Sequence, residues 1–357
     1  MTTAERWDGS AVLAWLPVVV MAAVAVVDLT AGPDVGFLPL VSLGPAFAGL
    51  IGTWRRTVLV GAVALLLCLC LGMYDGLFDG RRGYTAMASV GGVTAAGTVA
   101  AITRQRRERE LASIRSIAEA AQRALLRPVP RTAGPLRVAV SYTSAMAEAR
   151  IGGDLYEVVV SPQKVRVLIG DVQGKGLAAV ETAAVVLGAF REAAHEEPDL
   201  VGLVARLERS VARELHSEKF VTALLAEIRP QEETAVMVNC GHPAPMLVRR
   251  NGTIYFPEPA SYALPLGLGI HGGVPPEPHH VKFGPGDQLL LYTDGVTEAR
   301  NSDGQFYPLE ERAHLLQDDD PQAALEKLRE DTARHVPGPL HDDAAMLLLR
   351  YHRGRRR

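Results

Sequence analysis

Arg150-Ile-Gly-Gly-Asp154-Leu-Tyr156-Glu-Val158-Val-Val160-Ser-Pro162-Gln-Lys-Val165-Arg-Val167-Leu-Ile169-Gly-Asp171-Val-Gln-Gly-Lys-Gly176 carries the pattern on which the C-terminal half of the chain is built. Its two arms are rich in β-branched residues and meet at Ser161-Pro162-Gln163-Lys164, so the stretch reads as a hairpin. With the turn centred between Pro162 and Gln163, antiparallel pairing sets Val160 opposite Val165, Val158 opposite Val167, Tyr156 opposite Ile169 and Asp154 opposite Asp171. Side chains alternate with period two, so both aspartates share the face of that apolar ladder and point to the buried side. An odd-length loop would slip the pairing by one residue. Taken singly, each aspartate also reads as a turn or cap residue beside glycine.

Two carboxylates so opposed repel, and each raises the other's pKa unless a cation lies between them. A hard divalent ion suits oxygen donors, and the glycines at 152, 153, 170, 174 and 176 let backbone approach it closely. Two more acidic positions repeat the pattern. Gln288-Leu-Leu-Leu-Tyr-Thr-Asp294-Gly295 ends a buried strand in an aspartate, and His341-Asp342-Asp343 precedes the apolar strand Ala344 to Tyr351. Four acidic strand ends without comparable basic partners point to a metal cluster rather than to four separate turns.

The N-terminal part differs sharply. Up to Thr103 four apolar runs, at about 11–27, 35–53, 57–74 and 84–103, each approach the roughly 20 residues of a spanning helix. Arg55 and Arg56 separate the second and third runs, and Arg104, Arg106, Arg107 and Arg109 follow the fourth. The positive-inside rule then puts both ends of the chain in the cytoplasm, although Arg81 and Arg82 run against it beside Asp75 and Asp79. No charged residue lies within the runs, which favours a cell-membrane anchor over a transporter. Cys68, Cys70 and Cys240 form neither a disulfide framework nor a zinc site. A net charge of -3 over 357 residues gives no sign of nucleic-acid binding.

From Arg104 to Arg127 the composition is helical, and Leu111, Ile114, Ala118, Ala121 and Leu125 recur at spacings of three and four. They read either as a short heptad seam pairing two protomers or as one packed helix. Beyond Pro128, the segments 136–143, 219–228, 234–240, 245–249, 253–256, 287–293 and 344–351 read as strands of an antiparallel meander. The segments 177–197 and 199–216 read as helices parted by Pro198. The expected organisation is a membrane region at 1–103, a linker helix at 104–128, a catalytic domain at 129–352 and a basic tail at 353–357.

These residues carry a resemblance. Ile151-Gly-Gly-Asp-Leu-Tyr-Glu157, Gly170-Asp-Val-Gln-Gly-Lys-Gly176, Phe220-Val-Thr-Ala-Leu224, Asn239-Cys-Gly-His-Pro243, Pro265-Leu-Gly-Leu268, Tyr292-Thr-Asp-Gly-Val-Thr-Glu298 and Asp342-Asp343 follow one another in the order found in a known family. The chain from about Arg137 to Tyr351 resembles the metal-dependent serine/threonine protein phosphatases, in their bacterial stage II sporulation protein E branch. The resemblance implies an α+β fold, an αββα sandwich of two antiparallel sheets flanked by helices, here preceded by a four-helix transmembrane region. It also implies two Mn²⁺ or Mg²⁺ ions held by Asp154, Asp171, Asp294 and Asp342, with the Val172 carbonyl nearby. Asp343 is the alternative to Asp342. A metal-activated water would attack phosphoserine or phosphothreonine, in this branch commonly on an anti-sigma antagonist protein.

Leu155 replaces a tryptophan and Glu157 an aspartate common in the branch, and Lys175 stands where many relatives carry histidine, so no proton donor is assigned there. His242 reads as part of a structural turn. Two other functions share the sequence features: an idle docking module of the same fold and a hydrolase of small phosphoesters. A cysteine phosphatase, a Walker-type nucleotide site and a sensor kinase are disfavoured, for want of a Cys-x₅-Arg loop, of the spacing around Gly174-Lys175, and of a histidine in the linker.

Overall fold

The computed structural model describes residues 9–31, 37–144, 152–214, 219–269 and 276–352. Arg150 and Ile151, the end of the second expected helix at His216, and the tail 353–357 lie outside them. The chain forms two compact units, divided after Ile114.

The first unit is helical: α1 (Gly9–Ala31), a 3₁₀ turn (Leu38–Ser42), α2 (Leu43–Ile51), α3 (Trp54–Tyr74) and the first part of α4 (Arg82–Leu125). Met21, Val41, Ala48, Val60, Ala64, Leu71 and Val90 form its core. Windows in α1, α3 and α4 are long and apolar enough to cross a membrane. The second apolar run departs from the expected length. Its helical part, Leu38–Ile51, spans about 21 Å at the α-helical rise, short of the roughly 30 Å hydrocarbon core. Pro39 sits at the start of the 3₁₀ turn, and Gly52 leaves α2 in extended backbone before Thr53 caps α3. The fourth apolar run and the linker share one uninterrupted helix, α4.

The second unit is a four-layer sandwich. One sheet has the order β1 (Thr132–Ala133), β2 (Leu136–Thr143), β11 (Ala344–Tyr351), β10 (Gln288–Tyr292), β7 (Met246–Val248), β8 (Ile254–Tyr255). The other runs β3 (Leu155–Val160), β4 (Val165–Val172), β5 (Val221–Arg229), β6 (Thr234–Cys240), β9 (His279–Lys282). Every pairing is antiparallel. Between the sheets lie Val138, Tyr156, Val167, Ile169, Leu224, Leu289 and Leu347. On the outer face of the second sheet, Leu168 and Leu225 pack against Phe190 of α5 (Leu177–Glu196) and Leu207 of α6 (Leu200–Glu214). On the outer face of the first, Leu290 and Leu348 pack against Leu325 and Leu328 of α8 (Pro321–His335). Central strands are buried on both faces, and in β4 only Asp171 is half-buried, while the buried Arg166 pairs with Glu227 of β5 at 2.7 Å. The expected αββα sandwich is the observed one.

Candidate active site

The hairpin register places the first two acids. Tyr156 pairs with Ile169, Val158 with Val167 and Val160 with Val165 across the turn at Ser161–Lys164. The Val172 amide donates to the Gly153 carbonyl at 3.2 Å, continuing the pairing one step past Leu155 and Gly170, so Asp154 stands across from Asp171. The other acids come from the first sheet. Asp294 opens a one-turn helix, α7 (Asp294–Thr297), directly after β10, and Asp342 and Asp343 lead into β11. Thr293 ties the sheets together. Its hydroxyl donates to Asp154 Oδ2 at 2.7 Å and accepts the Ala345 amide at 2.9 Å.

Asp343 is buried and accepts the Tyr142 hydroxyl at 2.8 Å, whereas Asp342 is exposed and pairs with Lys175 Nζ at 2.9 Å. A Cβ added at Gly152 would lie 0.9 Å from Asp343 Oδ2, and one at Gly153 would lie 2.5 Å from the Val172 carbonyl and 2.7 Å from Asp171 Oδ1. The Gly152-Gly153 pair is therefore a cradle cut to the carboxylates, which is why glycine stands twice before Asp154.

Burial, then Asp171, then Asp343 and Asp294 push Asp154 well above the usual carboxylate range, against the Thr293 hydrogen bond that lowers it. Asp171 rises to about 7 through burial and the charges of Asp294, Asp342 and Asp343, with Lys175 opposing. Asp294 is raised by burial, Glu298 and Asp342. All five aspartates thus share one field with an excess of negative charge among the described residues, opposed by Lys175. Among the described residues no group of three or more His, Cys, Asp or Glu side chains is arranged to hold a metal ion. The donor set nevertheless suits a hard divalent cation: carboxylates, the Val172 carbonyl, a glycine cradle and, among the described residues, an excess of negative charge, all oxygen donors rather than the sulfur or imidazole that zinc favours.

Contacts around the acids include several that sequence reasoning missed. Gln122, buried near the end of α4, donates to the Tyr142 hydroxyl at 2.7 Å and to the Gly152 carbonyl at 3.2 Å. Arg191 of α5 donates to the Leu125 carbonyl at 2.6 Å and pairs with Glu157 of β3. The last turns of α4 are in this way fastened to the residues that carry Asp154 and Asp343. Burial, together with Asp343 and Asp154, pushes the Tyr142 hydroxyl up, so it stays protonated as a donor. His242 is fully engaged elsewhere. It is buried, contacts the Thr222 hydroxyl and the Tyr292 carbonyl at 3.1 Å each, and is driven down to about 4 by burial, which makes it a neutral structural group. Thr293 and Glu298 lay open in the Tyr292-Thr-Asp-Gly-Val-Thr-Glu298 motif, whereas Gln122 and Tyr142 carried no local signal.

A two-sheet sandwich with acids gathered at the strand ends is the architecture of PP2C-type phosphatase domains. The chain belongs to the Stage II sporulation protein E (SpoIIE) family, whose model matches residues 161–352; Asp154 lies just before the matched region. Over 205 residues it is 24% identical to the phosphoserine phosphatase RsbU of Bacillus subtilis (strain 168), a match covering 56% of this chain and 60% of that relative's length. The SiaA-PP2C domain of Pseudomonas aeruginosa superposes with a TM-score of 0.58 at 16% identity, over 69% of this chain and 98% of that one. The phosphatase domain of SpoIIE from Bacillus subtilis, with a fragment of its regulatory domain, gives 0.52 at 20% identity, over 61% and 65%. These two likenesses bear on the fold alone.

Proposed function

We propose that the chain is a membrane-anchored, metal-dependent protein serine/threonine phosphatase whose substrate is a phosphorylated anti-sigma antagonist in a sigma-factor regulatory pathway. The observation that carries this reading is the gathering of Asp154, Asp171, Asp294, Asp342 and Asp343 into one field that raises Asp171 to about 7. Asp154, Asp171, the Val172 carbonyl, Asp294 and Asp342 would hold two Mn²⁺ or Mg²⁺ ions, with Asp343 as the alternative to Asp342. When bound, such ions supply activation of water and neutralisation of charge on phosphoryl oxygens. Thr293 fixes the Asp154 carboxylate, and Tyr142 fixes that of Asp343. Lys175, exposed beside Asp342, presents an ammonium to an incoming phosphate.

The scheme of a membrane region to residue 103, a linker helix at 104–128 and a catalytic domain at 129–352 belongs to the same reading. So does a homodimer through 104–127, where Leu111 is exposed on α4. Arg104 to Arg109 put the catalytic domain in the cytoplasm. A cytoplasmic N-terminus requires the Leu38–Ile51 segment to complete a fourth pass.

Assay of the full chain in detergent against phosphopeptides, nucleotides and a chromogenic phosphate ester, with Mn²⁺ and with chelator, tests the function. Turnover of phosphopeptides that chelation abolishes is the expected result. Preference for nucleotides would make it a small-phosphoester hydrolase, and no turnover at all would make it a docking module.

A further inference from the structure

β11 begins beside Asp343 and runs about 20 Å to Arg350, at the far end of the sandwich. There a cavity of about 590 Å³ opens among Arg137, Arg250, Arg350, Gly286, Asp319 and His352. Arg137 of β2 and Arg350 of β11 are direct register partners, the cationic counterpart of the Asp154 and Asp171 pair. Like charges directly opposed across strands destabilise a sheet.

The two arginines differ in how they are satisfied. Arg350 is spent on the fold: it donates to Gln288 Oε1 at 2.9 Å, to the Leu316 carbonyl at 2.6 Å, to the Asp319 carbonyl at 2.9 Å and to the Asp318 carbonyl. Arg137 and Arg250 are exposed, and among the described residues neither guanidinium has a hydrogen bond or ion pair. Their acidic neighbours are engaged elsewhere. Lys327 holds Asp318 at 2.7 Å, the Gln322 amide takes Asp320 at 3.3 Å as the cap of α8, and Arg249 holds Asp287 at 2.8 Å. Asp319 is the one carboxylate lining the cavity among the described residues. Arg250 is also aimed by its surroundings: its amide donates to Asp287 Oδ1 at 3.0 Å, and its stem lies over Gly286, where an added Cβ would come 3.0 Å from its Cγ. Gly286 has φ +96°, a turn that favours glycine.

We propose that this cavity is an anion site, separate from the aspartates, that takes a small phosphate-bearing ligand with at least two negative charges between the free forks of Arg137 and Arg250 and the fixed Arg350. Arginine forks match phosphate oxygens two at a time, and the volume lies within the range of small-molecule sites. A concave wall of three guanidiniums favours a small ligand over a flat anionic surface.

The test is calorimetric titration of the full chain in detergent, with EDTA present so that no ion at the aspartates contributes. Pyrophosphate and ADP are the probes, the pair distinguishing a bare diphosphate from a nucleotide. Binding of one equivalent is expected, weakening as salt rises and falling about tenfold or more in the double variant Arg137→Gln/Arg250→Gln. Asp319→Asn, which removes the lining carboxylate, should tighten binding. Absence of binding to both probes, or equal affinity in the wild type and both variants, overturns the proposal. So does arginine-dependent binding to phosphatidylglycerol vesicles without binding to either probe, which would make the patch a membrane contact.

Discussion

Thr293 donates its hydroxyl hydrogen to Asp154 at 2.7 Å across the join of the two sheets, and so gives a buried carboxylate of one sheet a donor from the other. The same oxygen accepts the Ala345 amide. Thr293→Val therefore strands two buried polar groups at once. A loss of about 1–3 kcal/mol is expected in denaturant unfolding, since that is the cost of an unmet buried partner, with Thr293→Ser close to wild type. Equal stability of Thr293→Val and wild type would remove this link from the site.

Asp171 is raised from an ordinary 3.8 to about 7, and Asp154 is raised as well. A carboxyl that holds its proton more tightly folded than unfolded adds stability that is full below the unfolded pKa and lost as pH rises through the folded one. In chelator, the melting temperature should fall between about pH 4 and pH 7. With Mn²⁺ present the ionised pair is the favoured form, and the fall should disappear. Melting curves across that window, with EDTA and with Mn²⁺, decide it; parallel curves would mean that no cation meets these groups.

Tyr142 donates to Asp343, and Gln122 donates to the Tyr142 hydroxyl and the Gly152 carbonyl. Partners that orient metal ligands typically contribute 10–100-fold in metal affinity. Tyr142→Phe should thus weaken Mn²⁺ binding by roughly tenfold, measured as the shift of melting temperature with Mn²⁺ concentration. Gln122→Ala should do the same in smaller measure. Unchanged Mn²⁺ dependence in both would leave Asp343 a packing residue.

Membrane topology follows from the arginines. Reporter fusions at Gly32, Arg56, Gly80 and Arg104 should read outside, inside, outside, inside if the Leu38–Ile51 segment completes a pass. An internal Gly32 with the other three unchanged would leave three crossings and an external N-terminus.

What the sequence made legible was local. The hairpin register could be read because a four-residue turn and a period-two apolar pattern fix one pairing, and the ladder from Tyr156 to Ile169 follows it. The acids at strand ends could be read for the same reason. The donors that hold them could not: Tyr142 and Asp343 are 201 residues apart, Thr293 and Asp154 139, and no spacing rule links them. Apolar content alone also did not show how the second run is divided, because hydropathy does not register the 3₁₀ turn that begins near Pro39 or the extended backbone at Gly52.

The pairing of Asp154 with Asp171 is most directly tested by Asp171→Asn in the full chain. The substitution removes one of two opposed charges with little change of shape, so in chelator it should raise stability by about 1 kcal/mol. Mn²⁺ should lift the melting temperature of the wild type well above its chelated value while moving the variant little, and phosphopeptide turnover should fall by orders of magnitude. A variant that keeps both wild-type turnover and the full Mn²⁺ shift would show that Asp171 is a turn residue and that any ion is held without it.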